Sequence, residues 1–215
     1  MPRRYLLLGA HLDRADVEGI ESVEALDGGV VTLSAISYDS DQGIAARSTI
    51  ERAAAARQAL ARRETFVAIR YGATAANEAE AREKCSAHAA RWRTLLTAYR
   101  GHLEITLRLG AASGALRPDG KDFQSGRAYL QALQQTRAVK TDPDFLAAVD
   151  AAMSPIAVKR RWRTREDGMS EFVALIRRDD LVQARAAGES LRESFPQIPF
   201  LLSGPWPLEV FAHDE

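Results

Sequence analysis

The sequence predicts an α+β fold of two small domains joined by a long helix, the C-terminal domain being ferredoxin-like (βαββαβ). Three observations carry this. A sustained helical stripe over residues 77–100 lies between two groups of strand patterns. The segments before it read β-β-β-α-β or β-β-α-β. Those after it read β-α-β-β-α-β with the first helix in two pieces, the order of a ferredoxin-like sandwich. The 215 residues suit one domain or two modest ones. The expected boundaries are 1–76 for an N-terminal α+β domain, 77–100 for the bridging helix and 101–215 for the second domain.

Tyr5–Ala10 is a short apolar run bounded by Arg4 and a polar stretch, the pattern of a buried strand. Residues 20–26 alternate weakly, Gly28 and Gly29 mark a turn, and Val30–Tyr38 is a clear strand, so 20–38 is expected to form a hairpin. Asp39, Ser40 and Asp41 are helix-start residues. Residues 44–62 follow with Ile44, Arg47, Ile50, Ala54, Arg57 and Leu60 at helical spacing. Phe66–Tyr71 returns to strand and stops at Gly72. Asn77 with Glu80 resembles a capping box. The helix behind it carries Ala81, Cys85, His88, Trp92, Leu95 or Leu96, and Tyr99 on one stripe, and Gly101 ends it. At 1.5 Å per residue it runs roughly 36 Å, long enough to join two domains.

Leu103, Ile105, Leu107 and Leu109 alternate with Glu104, Thr106 and Arg108, a half-buried strand. Residues 110–125 are rich in Gly, Ser, Asp and Pro and read as an exposed, mobile loop. Helices are expected at 126–139 and 142–153, the second opened by Asp142-Pro143. Val158–Arg165 is a charged strand and Phe172–Ile176 an apolar one. Asp179 and Asp180 start a helix to about Ser194, and Ile198–Leu202 is the last strand. A ferredoxin-like sheet places its first and third strands inside and its second at an edge. Apolar 172–176 and charged 158–165 suit those places, because charge protects an edge from mispairing.

Basic and acidic side chains number 29 each, so formal net charge is +0. That gives no global attraction to nucleic acid or an anionic membrane, and leaves self-association open. Cys85 is the single cysteine, which excludes an intrachain disulfide and suits a reducing cytosol. The first apolar run, Tyr5–Leu8, is too short for a signal-peptide core. No run approaches the roughly 18 apolar residues of a spanning helix. A cytoplasmic, soluble chain is expected.

Four short motifs stand in order. Glu64-Thr-Phe-Val-Ala-Ile-Arg-Tyr-Gly-Ala-Thr ends a strand in an Arg-aromatic-Gly turn. Arg100-Gly-His-Leu-Glu104 joins a helix to a strand. Ser125-Gly-Arg-Ala-Tyr-Leu130 opens a helix. Leu202-Ser-Gly-Pro-Trp-Pro207 closes the last strand. Their order and spacing resemble the gas vesicle protein GvpL/GvpF family over most of residues 64–212. One departure is that Leu208-Glu-Val-Phe211 follows where family members continue Pro-Tyr-Ser-Phe. The resemblance implies a two-domain α+β protein. It implies a role in gas vesicle formation, in association with the small hydrophobic shell protein and other gas vesicle accessory proteins. It implies no catalytic activity and no cofactor.

Trp206, between Pro205 and Pro207, is either an anchor for a partner, as Trp is at interface hot spots, or a lid on the core edge. Arg70 and Tyr71 face a ligand or partner, or simply lead into Gly72, which supplies a conformation other residues resist. Tyr129 packs a helix start or presents its hydroxyl to a partner. These six, Trp206, Pro205, Pro207, Tyr71, Arg70 and Tyr129, are the candidate partner contacts. The basic run 159–165 places Lys159, Arg161, Arg163 and Arg165 on one face of a strand and Arg160 and Trp162 on the other. It lacks the aromatic pattern of an RNA-binding sheet. Cys85 and His88 lack a second ligand pair and read as packing residues on the buried stripe. No nucleophile elbow, phosphate-binding loop or zinc-protease motif occurs. The alternative to an assembly role is a small-molecule-binding or sensing protein, or an enzyme, using the face of the second sheet.

Overall fold

A computed structural model describes residues 3–39, 43–109, 142–165 and 169–212. The chain is α+β, with two sheets and, among the described residues, four α-helices. It divides into two compact units, Met1–Glu104 with Pro205–Glu215, and Ile105–Gly204.

The first unit contains β1 (Arg3–His11), β2 (Glu24–Asp27), β3 (Thr32–Asp39), α1 (Arg47–Arg63), β4 (Val67–Ala68), β5 (Thr74–Ala75) and α2 (Glu78–Ala98). The sheet order is β2-β3-β1-β4, with β5 also on β1. β1 pairs antiparallel with β3 from Arg3↔Asp39 to His11↔Thr32. Leu6, Leu7 and Leu8 are all buried, so both faces of β1 are covered. On one face Leu6, Leu8, Ile36 and Tyr38 pack with Ala53, Ala56 and Leu60 of α1 and with Phe66.

Helix α2 covers β1, β2 and β5. It buries Ala81, Cys85, Ala89, Trp92 and Leu96, spaced four, four, three and four residues apart along one stripe. The helix expected to bridge two domains is therefore a layer of the first unit: an apolar stripe of this length needs a partner surface, and the sheet provides it. His88 is exposed, off the stripe where the sequence placed it, and stacks on Trp92 with ring centroids 5.5 Å apart. Asn77 Oδ1 accepts the Glu80 N–H at 2.9 Å, and Glu80 Oε2 accepts the Ala76 N–H at 2.6 Å. Helix α1 begins later than expected, with Ala46 in the cap position. Asp39 ends β3 and is not the cap of α1; Ser40 and Asp41 lie outside the described residues.

The β1–β3 register shifts between Leu7 and Gly9. The Phe66 ring fills the space beside Gly9: a Cβ there would lie 2.7 Å from Phe66 Cε2 and 2.9 Å from the Val67 carbonyl oxygen. His11 stacks on the same ring at 5.0 Å and its Nε2 lies 2.9 Å from Ser34 Oγ. His11 is buried, and desolvation pushes its pKa down to about 3, so it is neutral.

The second unit holds most of β6 (His102–Leu109) and β9 (Phe200–Trp206). It also holds α3 (Pro143–Met153), β7 (Ala157–Thr164), β8 (Ser170–Arg177) and α4 (Leu181–Ser194). The sheet order is β7-β8-β6-β9, with β6 and β8 inside. Phe172–Ile176 of β8 is fully buried. Phe145 of α3 meets Phe195 and Phe200 at 5.3 and 5.4 Å. Asp142 Oδ1 caps α3 by accepting the Asp144 N–H at 2.9 Å.

Strand β6 is not half-solvated as its alternation suggested. Glu104 and Thr106 are buried, and only Arg108 is exposed. Its partner is buried Glu171, which accepts from Arg108 Nε and Arg163 Nε, each at 2.6 Å. Burial acts to raise the Glu171 pKa, but the two arginines outweigh it and hold the carboxyl below its ordinary range. Between β7 and β8 the Trp162 and Phe172 ring centroids lie 5.2 Å apart, and Arg160 Nε of β7 donates to Asp150 of α3 at 2.8 Å. The loop and helix expected over 110–139, with Tyr129, lie outside the described residues.

A methyl group at Gly9 meets an aromatic ring and a backbone carbonyl. Gly9→Ala is expected to cost about 3 kcal/mol by overpacking. Urea denaturation followed by circular dichroism measures this; a variant as stable as the parent would show that the strand tolerates a side chain there.

Candidate partner-binding groove

After β9 the chain continues beside β4. Leu208 N–H donates to the Phe66 carbonyl at 2.8 Å, Ala68 N–H donates to the Leu208 carbonyl at 3.0 Å, and Val67 and Leu208 form a parallel bridge. The next three N–H groups converge on one carboxylate. Glu104 Oε1 accepts from Glu209 at 3.0 Å and from Phe211 at 2.9 Å, and Oε2 accepts from Val210 at 3.0 Å. Glu104 is 2% exposed. Burial pushes its pKa up to about 7, against three donors that favour the ionised form. Leu208, Val210 and Phe211, three of the four residues standing where Pro-Tyr-Ser-Phe was expected, are buried and fasten the segment through apolar contact.

This segment carries Trp206 and Pro207 to one wall of a groove of about 570 Å³; the other walls are Tyr71 and the outer face of α1. Gly72 has φ +98°, a left-handed conformation that turns the chain after Tyr71. The Tyr71 hydroxyl donates to the Ile44 carbonyl at 2.7 Å, which fixes the ring. Helix α1 buries Thr49, Ala53, Ala56, Leu60 and Ala61. Its opposite side, Ile50, Ala54 and Gln58, is therefore exposed and faces the groove. The sequence spacing had joined Ile50 and Ala54 to Leu60 in one stripe; they lie on different faces. Ile50, Tyr71 and Trp206 are 45%, 40% and 39% exposed, among the few large hydrophobics so placed in the described chain.

Arg57 forms the polar part of the wall. One terminal nitrogen donates to the Ile69 carbonyl, while its buried Nε has no acceptor among the described residues. Burial lowers its pKa; the charge of Glu209 acts the other way. A second cavity of about 540 Å³ shares Arg57, Tyr71 and Glu209 as walls and includes Arg70.

Trp206, Pro207 and Tyr71 thus lie on one groove and Arg70 on its neighbour. Pro205, half-buried, directly precedes Trp206. Tyr129 is not among the described residues. Sequence reasoning missed Ile50, Arg57 and Glu104. An isoleucine one residue off the Thr49–Ala53 stripe was the available signal for the first; Glu104 gave none, since its donors are more than a hundred residues away. Among the described residues no group of three or more His, Cys, Asp or Glu could hold a metal ion. No helix among them is long and apolar enough to cross a membrane.

The family described as "Gas vesicle synthesis protein GvpL/GvpF" matches residues 30–212. The chain belongs to this GvpL/GvpF family. Two solved members share its fold. The crystal structure of the gas vesicle protein GvpF from Anabaena sp. PCC7120 matches with TM-score 0.69 at 15% identity, over 99% of this chain and 97% of that one. The gas vesicle protein GvpF from Microcystis aeruginosa matches with TM-score 0.69 at 13% identity, over the whole of both chains. No curated protein matches by sequence. The stretch around Trp206 and the turn at Tyr71 meet at the groove.

Two displaced pKa values of the first unit, those of Glu104 and His11, oppose each other. Glu104 rises from 4.5 to about 7 on folding, so its contribution to stability is complete below pH 4.5 and lost as pH rises to about 7. His11 falls from 6.5 to about 3, so its contribution is complete above pH 6.5 and lost as pH falls towards 3. Glu104→Gln removes only the first. The stability of the parent relative to the variant should then fall by about 1 kcal/mol per pH unit between pH 5 and 7. Urea titrations at pH 5, 6 and 7 read this, and a constant gap would place the Glu104 pKa at its ordinary value.

Proposed function

We propose that this chain is an assembly accessory or minor structural protein of gas vesicles, and that its groove docks a vesicle protein, either the shell protein or another accessory protein. The observation that carries the reading is the meeting of Tyr71, Trp206 and Pro207 with exposed Ile50 around one apolar groove. Such a task calls for apolar area on a rigid frame and no reactive group. Tyr71 is held by its hydroxyl, and Trp206 by the anchored segment that follows it. The chain acts without catalysis, in the cytoplasm, at the forming vesicle. Family membership supports the vesicle role.

The second unit is read as ferredoxin-like. Its order β7-β8-β6-β9 supports this, with the first and third strands inside and the charged second strand outside. A small-molecule-binding role is the second reading, favoured by a groove volume within the range of ligand sites.

Co-purification of the tagged chain with the gas vesicle shell protein tests the first reading. Trp206→Ala, with its circular dichroism unchanged, should reduce retention about tenfold or more, the usual effect of truncating a Trp anchor. Retention of neither shell protein nor any other vesicle protein by the parent, together with a metabolite-dependent rise in melting temperature, would replace it with the second.

A further inference from the structure

Arg57 is a cation placed where water reaches it poorly. Among the described residues no carboxylate forms an ion pair with it, its buried Nε–H has no acceptor, and a terminal nitrogen donates to the Ile69 carbonyl. Glu209 is exposed and acts on it only through its field. Removing a guanidinium from water without a carboxylate in contact is unfavourable, and burial lowers its pKa accordingly. Arg70, exposed on the adjoining cavity, adds a second positive charge, so the two arginines outnumber Glu209 along this surface. Around these charges the walls are apolar: Ile50 and Ala54 on one side, Tyr71, Trp206 and Pro207 on the other.

We infer that the occupant of this groove is a short apolar segment of a protein partner bearing a carboxylate that pairs with Arg57. The inference rests on the docking role proposed above. The length of the surface favours a chain segment. Ile50 to Gln58 spans about 12 Å along α1, two turns of a docked helix or about four extended residues. The adjoining cavity shares Arg57, Tyr71 and Glu209 and prolongs the surface. A guanidinium suits a carboxylate because its fixed fork matches two oxygens, and because a partner closing the groove excludes the water that would weaken the pair. The apolar walls supply contact area and Arg57 sets the register.

Fluorescence anisotropy with labelled 15-residue peptides tiling the shell protein and the other gas vesicle proteins, titrated with the full chain, tests this. The tightest peptide should carry Asp or Glu beside apolar residues. Changing that acid to its amide, or Arg57→Gln in the chain, should each weaken binding about tenfold or more, and both together little more than either alone. Arg57→Lys should retain part of the affinity. The peptide change leaves the fold of the chain untouched, so it decides the matter even if Arg57→Gln unfolds. Peptide binding that Trp206→Ala abolishes but that neither acid-to-amide nor Arg57→Gln affects would overturn the pairing and leave the docking role standing. Dodecanoate binding as tightly as the best peptide, with the same dependence on Arg57, would overturn the protein segment in favour of a small apolar acid. Failure of the parent to bind any peptide or any intact vesicle protein would overturn both the pairing and the docking role.

Discussion

Three consecutive backbone N–H groups, those of Glu209, Val210 and Phe211, end on the buried carboxylate of Glu104. Burying a carboxylate is unfavourable unless hydrogen bonds replace its water, and here backbone donors supply all three. The arrangement ties the C-terminal segment to the start of β6, while the Leu208 bonds tie it to β4. Trp206 and Pro207 immediately precede these ties. Without them the groove would lose one of its walls. The exposed aromatic surface of the first unit is thus a consequence of a polar contact made at its back.

Glu104 is one of several polar groups kept inside. Glu104, His11 and Glu171 are buried, and each is held differently: by backbone N–H groups, by a hydroxyl, by arginines. None lines the groove. Their partners come from different elements, so each fixes a register that apolar packing alone leaves loose. Glu171 also accounts for part of the basic run on β7. Arg163 serves an internal carboxylate, which leaves less of that run to attract nucleic acid.

Most of the elements were legible because hydrophobic period is a local signal. Helix α2 shows it well: Ala81, Cys85, Trp92 and Leu96 are buried as their spacing implies. What the period could not supply was the surface that covers the stripe, and so a layer of one unit read as a bridge between two. The hairpin of β2 and β3, the inner place of β8 and the Asp142 cap were legible for the same local reasons. Glu104 was not, because a polar residue alternating with leucines looks solvated until its distant donors are known. Arg57 looked like an ordinary helical cation. Only the fold shows that Ile69 and the C-terminal segment close around it. Trp206 and Tyr71 were each legible as candidates from their turn chemistry, but their meeting depends on the return of residues 205–212 to the first unit.

A neutral chain has no long-range field with which to select a partner, so selection falls to short-range features. Apolar walls alone attract any hydrophobic segment. A half-buried guanidinium changes that. An apolar segment without an acid leaves Arg57 sealed from water and unpaired, which opposes binding; a segment with one relieves it. In the proposed pairing the cation discriminates chiefly by rejecting the wrong occupant. That the free chain retains Arg57 with an unmet Nε is consistent with a surface whose hydrogen bonding is completed only when it is occupied.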